Sequence, residues 1–195
     1  MLRAANIGED SELYRTRGAA HLLLFEPLDS NLKELHAKFD RVENVEIFPF
    51  GLGNGSRTAT IQFSADARNI GAAEVRAGTT VTGDTVQMEI RDVADNLRAH
   101  IPDGGQVFLT INCEGCEFET LGRLAAYDQG NFLRNGTIQQ VNVALHEEFA
   151  RERGALAVVD YCTALPLLHR YYRQTYCAGP WAGWVYRGAD EHPSQ

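Results

Sequence analysis

Long apolar runs are missing from this chain. None approaches the ~20 residues a helix needs to span a bilayer, and the opening MLRAANIGED has no apolar core of a secretory signal. Clusters of positive charge are missing too. No basic run exceeds two residues, and 18 Lys+Arg against 26 Asp+Glu leave a formal net charge of −8. A phosphate backbone is held by lysine and arginine displacing its counterions, so nucleic acid is not an expected partner, and an anionic membrane surface gains no support. Cysteines are few, 4 in all. Without an export signal they read as reduced thiols, and the expected compartment is cytoplasmic. Cys113 and Cys116 form a CxxC, but no second CxxC and no close histidine pair completes a zinc site. No metal is therefore expected. The glutamates beside those thiols oppose a thioredoxin-like dithiol, since a neighbouring negative charge disfavours a thiolate. Internal repeats and low-complexity segments are also absent.

What is present fits one globular domain. The 195 residues are 44% apolar and 23% charged, enough for a sizeable core. One domain is expected over residues 1–187, with a frayed polar tail at 188–195 that contains Pro193.

The chain alternates strand-like and helix-like patterns. Residues 21–26 (HLLLFE) are nearly all apolar, as in a strand covered on both faces, and Pro27 ends it. Asp29 or Ser30 can cap a following helix, in which Leu28, Leu32, Leu35 and Phe39 share one stripe. Strands are expected at 45–50, 57–63, 85–91, 106–111 and 138–145, and a loop at 51–55. An excursion covers 64–84. Helices are expected at 9–18, at 92–99, around Phe118, Leu121 and Leu124, and in part of 155–173 with a break near Pro166. The aromatic-rich segment 172–187 supplies a closing hairpin. This alternation predicts an α/β fold with a mostly parallel sheet and helices on both faces. Ligands of such sheets sit beyond the carboxyl ends of the strands, so those ends are where site residues belong.

Four strand ends stand out. Glu26 can accept hydrogen bonds from both hydroxyls of a ribose, or it is a turn acid before a proline. Ahead of it, 4-AANIGEDSEL-13 holds a single glycine, Gly8, where backbone can approach a ligand. Gly51, Leu52, Gly53 and Asn54 form a turn that can also accommodate a purine edge. The segment 107-VFLTINCEGCEFETL-121 drives an apolar strand into Asn112, Glu114 and Glu117, with Gly115 allowing close approach. The late strand ends in His146, which can take a proton or simply be solvated.

In combination these segments resemble the FkbM-type methyltransferases, S-adenosylmethionine-dependent enzymes of the class I methyltransferase fold, and a related eukaryotic methyltransferase-like group. ANIGEDSEL is similar to the family's glycine loop, LLLFEPLDSNLKEL to its "FEP" strand end, FLTINCEGCEFETLGRL to its "K-I-D-x-E-G-x-E" hallmark, and IQQVNVALHEE to its late "E-x-H" strand. Order and spacing agree over residues 4–148. The resemblance implies S-adenosylmethionine as cofactor and methyl transfer to a small-molecule or glycan hydroxyl. It implies that Asn6, Ile7 and Gly8 meet the methionine part, that Glu26 binds the ribose, that Asn54 lies near the adenine, and that Asn112, Glu114 and His146 flank the sulfonium and the acceptor. Glu114 and His146 are then the candidates for chemistry.

The departures define the alternative. The family's first loop glycine is Ala4 here, its lysine and aspartate are Thr110 and Asn112, and its late glutamate is Ala144. Only three residues precede Ala4, so the normally central first strand is expected to be missing or truncated, which would expose two inner strand edges. A catalytically inactive binding or scaffold module, with a second copy or a partner chain completing the sheet, is the competing expectation.

Overall fold

A computed structural model describes residues 2–4, 8–63, 72–74, 85–113, 116–146 and 155–188. Among the expected site residues, Asn6, Ile7 and Glu114 lie outside the described residues, as do most of the 64–84 excursion and the tail beyond 188.

Two sheets carry the fold. The larger has seven strands in the order β10-β11-β9-β8-β1-β2-β3, formed by β1 (Leu2–Ala4), β2 (Leu22–Phe25), β3 (Val45–Phe48), β8 (Val107–Ile111), β9 (Ile138–Ala144), β10 (Tyr172–Ala178) and β11 (Trp181–Tyr186). The pairs β3-β2, β2-β1, β1-β8 and β8-β9 are parallel, while β9-β11 and β11-β10 are antiparallel. The smaller sheet, β4-β7-β5-β6, contains β4 (Gly51–Gly53), β5 (Arg57–Phe63), β6 (Ala72–Glu74) and β7 (Thr85–Asp92). The mostly parallel sheet expected from the sequence is thus met in part: the large sheet is mixed, with four parallel and two antiparallel pairs, and a second sheet is mainly antiparallel. Strict alternation in 57–63 and 85–91 is the mark of half-buried antiparallel strands, whereas LLLF in β2 is buried at every position.

The first strand is short but not missing. Three residues of β1 pair with both β2 and β8, Leu2 opposite Leu23 and Leu109, and so close the centre of the sheet. Three residues suffice because the ladder to either side is continued by longer strands. Two further expectations change. Residues 51–53 form β4 rather than a loop, parallel to β7. Pro166 lies inside a continuous helix, α6 (Ala155–Tyr171), rather than breaking it.

Helices cover the large sheet. On one side α2 (Asp29–Phe39) buries Leu32, Leu35 and Phe39 of the expected stripe, while Leu28 precedes the helix and packs against the smaller sheet; Leu35 and Phe39 pack on Leu22 and Leu24, with Tyr14 from α1 (Glu9–Thr16) joining them. On the other, α3 (Val93–His100), α4 (Cys116–Ala126), α5 (Asn131–Arg134) and α6 enclose the main core. It includes Leu109, Ile111, Val141 and Val143 of the strands and Leu121, Leu124 and Leu168 of the helices. Asp92 fixes the start of α3: its Oδ1 accepts from Ala94 N–H at 2.9 Å, while Oδ2 accepts from Arg123 of α4 at 2.7 Å. Among the described residues no helix is long and apolar enough to cross a membrane.

Candidate functional site

The chain order reverses between β1 and β8: β2 and β3 extend the sheet on one side of that junction, and β8, β9 and the β10-β11 hairpin on the other. A crevice opens at the carboxyl ends of strands at such a switch point. Register puts the strand ends in line. Phe48 pairs with Phe25, Phe25 with Ala4, and Ile111 with Val143. Arg3 opposite Thr110 places Ala4 and Ile111 in the same row. One residue further along lie Glu26, Asn112 and Ala144. Glu26 and Asn112 sit on strands separated only by β1, hence roughly 10 Å apart at the backbone. Three of the expected site residues, Gly8, Glu26 and Asn112, thus follow the ends of three adjacent strands, β1, β2 and β8.

Gly8 ends the β1–α1 connection in the left-handed region, φ +77, as the residue before α1. A Cβ there would lie 2.7 Å from the Phe39 ring and 2.8 Å from Leu35. The glycine therefore lets α1 start close against α2, a packing role that holds with or without a ligand. Three residues on, the Ser11 hydroxyl is fully buried with no hydrogen-bond partner among the described residues.

Glu26 is 5% exposed. Its Oε1 accepts from Leu28 N–H at 2.9 Å, and its own N–H donates to Phe48 O at 3.1 Å. The carboxylate is thus pinned at the turn made by Pro27. Its two oxygens offer about four acceptor positions, and Leu28 N–H occupies one of them. The turn role and a hydroxyl-binding role are compatible here.

On β8's side the structure builds a cluster that sequence reasoning did not rank. Glu117, in the first turn of α4, has its side chain wholly buried, and its Oε1 is 2.7 Å from His146 Nδ1 and 3.0 Å from Cys113 N–H, which donates to it. An ionised carboxylate only accepts, so Nδ1 carries the proton of this bond. His146 is where the sequence places it, after β9, and Glu117 is its partner there. Two signals could have identified Glu117: an acid between apolar Cys116 and Phe118 one turn into a helix after a buried strand, and a histidine closing the neighbouring strand. The first turn of a helix also favours negative charge. Beside this pair, Asn112 Oδ1 is buried without a partner among the described residues.

Cys113 and Cys116 are joined by a disulfide, Cα atoms 5.5 Å apart. The expectation of four reduced thiols is corrected accordingly: β8 and the start of α4 bring these two side chains together, whereas Cys162 and Cys177 are free and exposed. Among the described residues no group of three or more His, Cys, Asp or Glu is arranged to hold a metal ion.

Asn54 is not brought into the row. It is exposed in the turn after β4, and its Oδ1 accepts from Arg57 Nη1 at 3.4 Å. Arg57 in turn pairs at 2.9 Å with Glu119 of α4. Thr110 and Ala144, where the resemblance expects charge, are each 1% exposed, and Thr110 Oγ1 lies 3.3 Å from the Tyr14 hydroxyl.

Against this geometry stand the comparisons with known proteins. No family model matches the chain, and no curated protein does. A crystal structure of methyltransferase FkbM from Methylobacillus flagellatus KT superposes over 95% of this chain with a TM-score of 0.53 at 15% sequence identity. The two share a fold. This chain spans 43% of that structure's length, less than half. At such low identity the likeness concerns architecture, a mixed α/β sheet with flanking helices, and leaves the site residues to be argued from their own geometry.

Proposed function

We propose that the rim beyond β1, β2 and β8 binds S-adenosylmethionine and that the domain is a methyltransferase acting on a hydroxyl of a small molecule or glycan. The observation that carries this reading is Glu26: a buried carboxylate, fixed by its turn, one strand from the switch point of a sheet whose fold matches a methyltransferase. Such a carboxylate holds the paired hydroxyls of a ribose without having to be reoriented. The orphaned Asn112 Oδ1 and Ser11 Oγ fit the same ligand class, since a nucleoside with an amino-acid arm brings donors and acceptors that would satisfy both. Backbone around Gly8 accommodates that arm, joined by Asn6 and Ile7, while Asn54 is assigned to the outer edge near the base.

When bound, S-adenosylmethionine supplies an already activated methyl group. The protein's own contribution is then positioning and proton removal. Glu117 holds the His146 ring and its tautomer, so Nε2 is the atom that takes the acceptor's proton, the arrangement in which a buried carboxylate orients a histidine base. Glu114 is assigned to the acceptor side of the same corner.

Isothermal titration with S-adenosylmethionine and with its demethylated product tests the cofactor. Saturable binding to the wild-type protein is expected. Glu26→Ala should weaken it on the order of 100-fold, the effect of losing two hydrogen bonds to a charged acceptor. No heat at high micromolar ligand, or equal affinity in both proteins, overturns the reading.

One observation favours a second reading, binding without catalysis. Thr110 and Ala144 are sealed in the interior, so the charged residues of the family hallmark have no counterpart there. Cofactor binding with no release of demethylated product across a panel of sugar and small-molecule hydroxyls would select this second reading.

A further inference from the structure

The disulfide and the Glu117–His146 pair are one unit. Cys113 follows β8 by two positions, and its N–H donates to Glu117 Oε1 at 3.0 Å. Cys116 is the first residue of α4, immediately before Glu117. The same Oε1 also meets His146 at the end of β9. Both sulfur-bearing residues are half-buried, so a small thiol can reach them, while Glu117 beneath them is fully buried.

We propose that Cys113–Cys116 is a reversible thiol–disulfide exchange site, taking low-molecular-weight dithiols as its reductant, and that its redox state sets the geometry of the Glu117–His146 pair. In the exchange a thiolate of the dithiol attacks one sulfur of the protein disulfide. The protein S–S bond breaks, a mixed disulfide forms, and the departing protein thiolate takes a proton from solvent. The second thiol of the reductant then closes on the first, leaving as a cyclic disulfide and releasing the second protein thiol. Two electrons and two protons reach the protein, and the dithiol is oxidised by the same amount.

The coupling follows from which end can move. Two thiol sulfurs cannot remain at the ~2.05 Å of a bond, so reduction must separate them. Cys116 belongs to a helix whose Leu121 and Leu124 are fully buried in the main core, and a close-packed interior resists displacement. Cys113 lies in the connection between strand and helix. In this proposal Cys113, outside both β8 and α4, takes the displacement, and with it the N–H that donates to Glu117. Losing that donor changes the field at Oε1, the atom that also meets His146 Nδ1. Glu119, the other acid of this turn, is paired with Arg57 and is not part of the rearrangement. The proposal concerns the pair itself and stands whether or not the rim binds a nucleoside.

The test uses the full chain with Cys162→Ser and Cys177→Ser, exposed positions outside the cluster, so that only one couple responds. The protein is equilibrated across a ladder of reduced to oxidised dithiothreitol, its thiols are trapped with a maleimide, and the mass is read. One transition adding two labels is expected. Imidazole ¹H–¹⁵N resonances of His146 should move between the end states, while those of His36 and His100 stay in place. A Cys113→Ser/Cys116→Ser protein should reproduce the reduced-state His146 shift even in oxidant. If that variant fails to fold, chemical reduction of the parent carries the comparison alone. A protein that takes no labels over the whole ladder, or one that is reduced with His146 unmoved, overturns the proposal.

Discussion

The two halves of the large sheet, divided between β1 and β8, hold their carboxylates in different ways. In the β1–β3 half, Glu26 is fixed by a backbone N–H two residues away, and Gly8 by close contact of α1 with α2. In the β8–β11 half, Glu117 is fixed by a backbone donor four residues back and by a histidine 29 residues away, just beyond β9. Local chain geometry makes the first arrangement, and packing of α4 against the strand ends makes the second. The lesson is that a binding group held by its own turn survives as a sequence signature, whereas a side-chain pair needs the whole half-sheet to bring its members together.

The sharpest way to break this contrast is to remove each acid. Glu117→Ala strands a buried His146 and the Cys113 N–H, and should cost about 3–5 kcal/mol, as when one member of a buried pair is deleted. Glu26→Ala, which removes the acceptor of the Leu28 N–H, should cost about 1–3 kcal/mol. Urea unfolding followed by circular dichroism measures both, and equal losses would erase the distinction.

A smaller effect separates conformation from crowding at Gly8. Gly8→Ala places a Cβ within 2.8 Å of two side chains at φ +77, while Gly104→Ala has φ +74 but nothing within 4 Å. Both pay for the left-handed backbone, about 1 kcal/mol. Only Gly8→Ala adds overpacking, another ~1–2 kcal/mol. If thermal melts show the two variants equal, α1 and α2 do not need this glycine for their approach.

The smallest effect belongs to the far edge of the second half. The Tyr172 hydroxyl donates to Ile138 O at 2.8 Å, and Tyr172→Phe should cost about 1 kcal/mol at neutral pH. Burial raises this phenol well above its ordinary value of 10.0, helped by nearby Tyr186. Above pH 10 the unfolded chain releases the proton and the folded chain keeps it. The contribution is therefore complete below that pH and is lost as pH rises, by up to ~1.4 kcal/mol per unit. The phenylalanine variant should show a shallower alkaline decline, by about one proton, in stability measured from pH 9 to 11.

Much of the architecture is legible in the letters. HLLLFE followed by proline specifies a buried strand and its stop, the Leu32–Leu35–Phe39 stripe specifies the helix that covers it, and QVFLTI specifies another strand, buried in β8 except at Phe108. Strand order is less so. Nothing in LRA announces that three residues fill the middle of a seven-stranded sheet, because a strand that short has no periodicity to read. Whether 57–63 and 85–91 join the main sheet or form their own depends on pairings between distant segments, and that information is not local.

The sequence by itself determined where the apolar strands end and which polar residues stand at those ends, because burial pattern and proline act over a few residues. Only the tertiary structure decided which of those residues meet: Glu117 with His146, Cys113 with Cys116, and Asn54 with Arg57 rather than with the row at the rim. Those pairings depend on register and helix placement, set by the packing of the entire core and by no single segment.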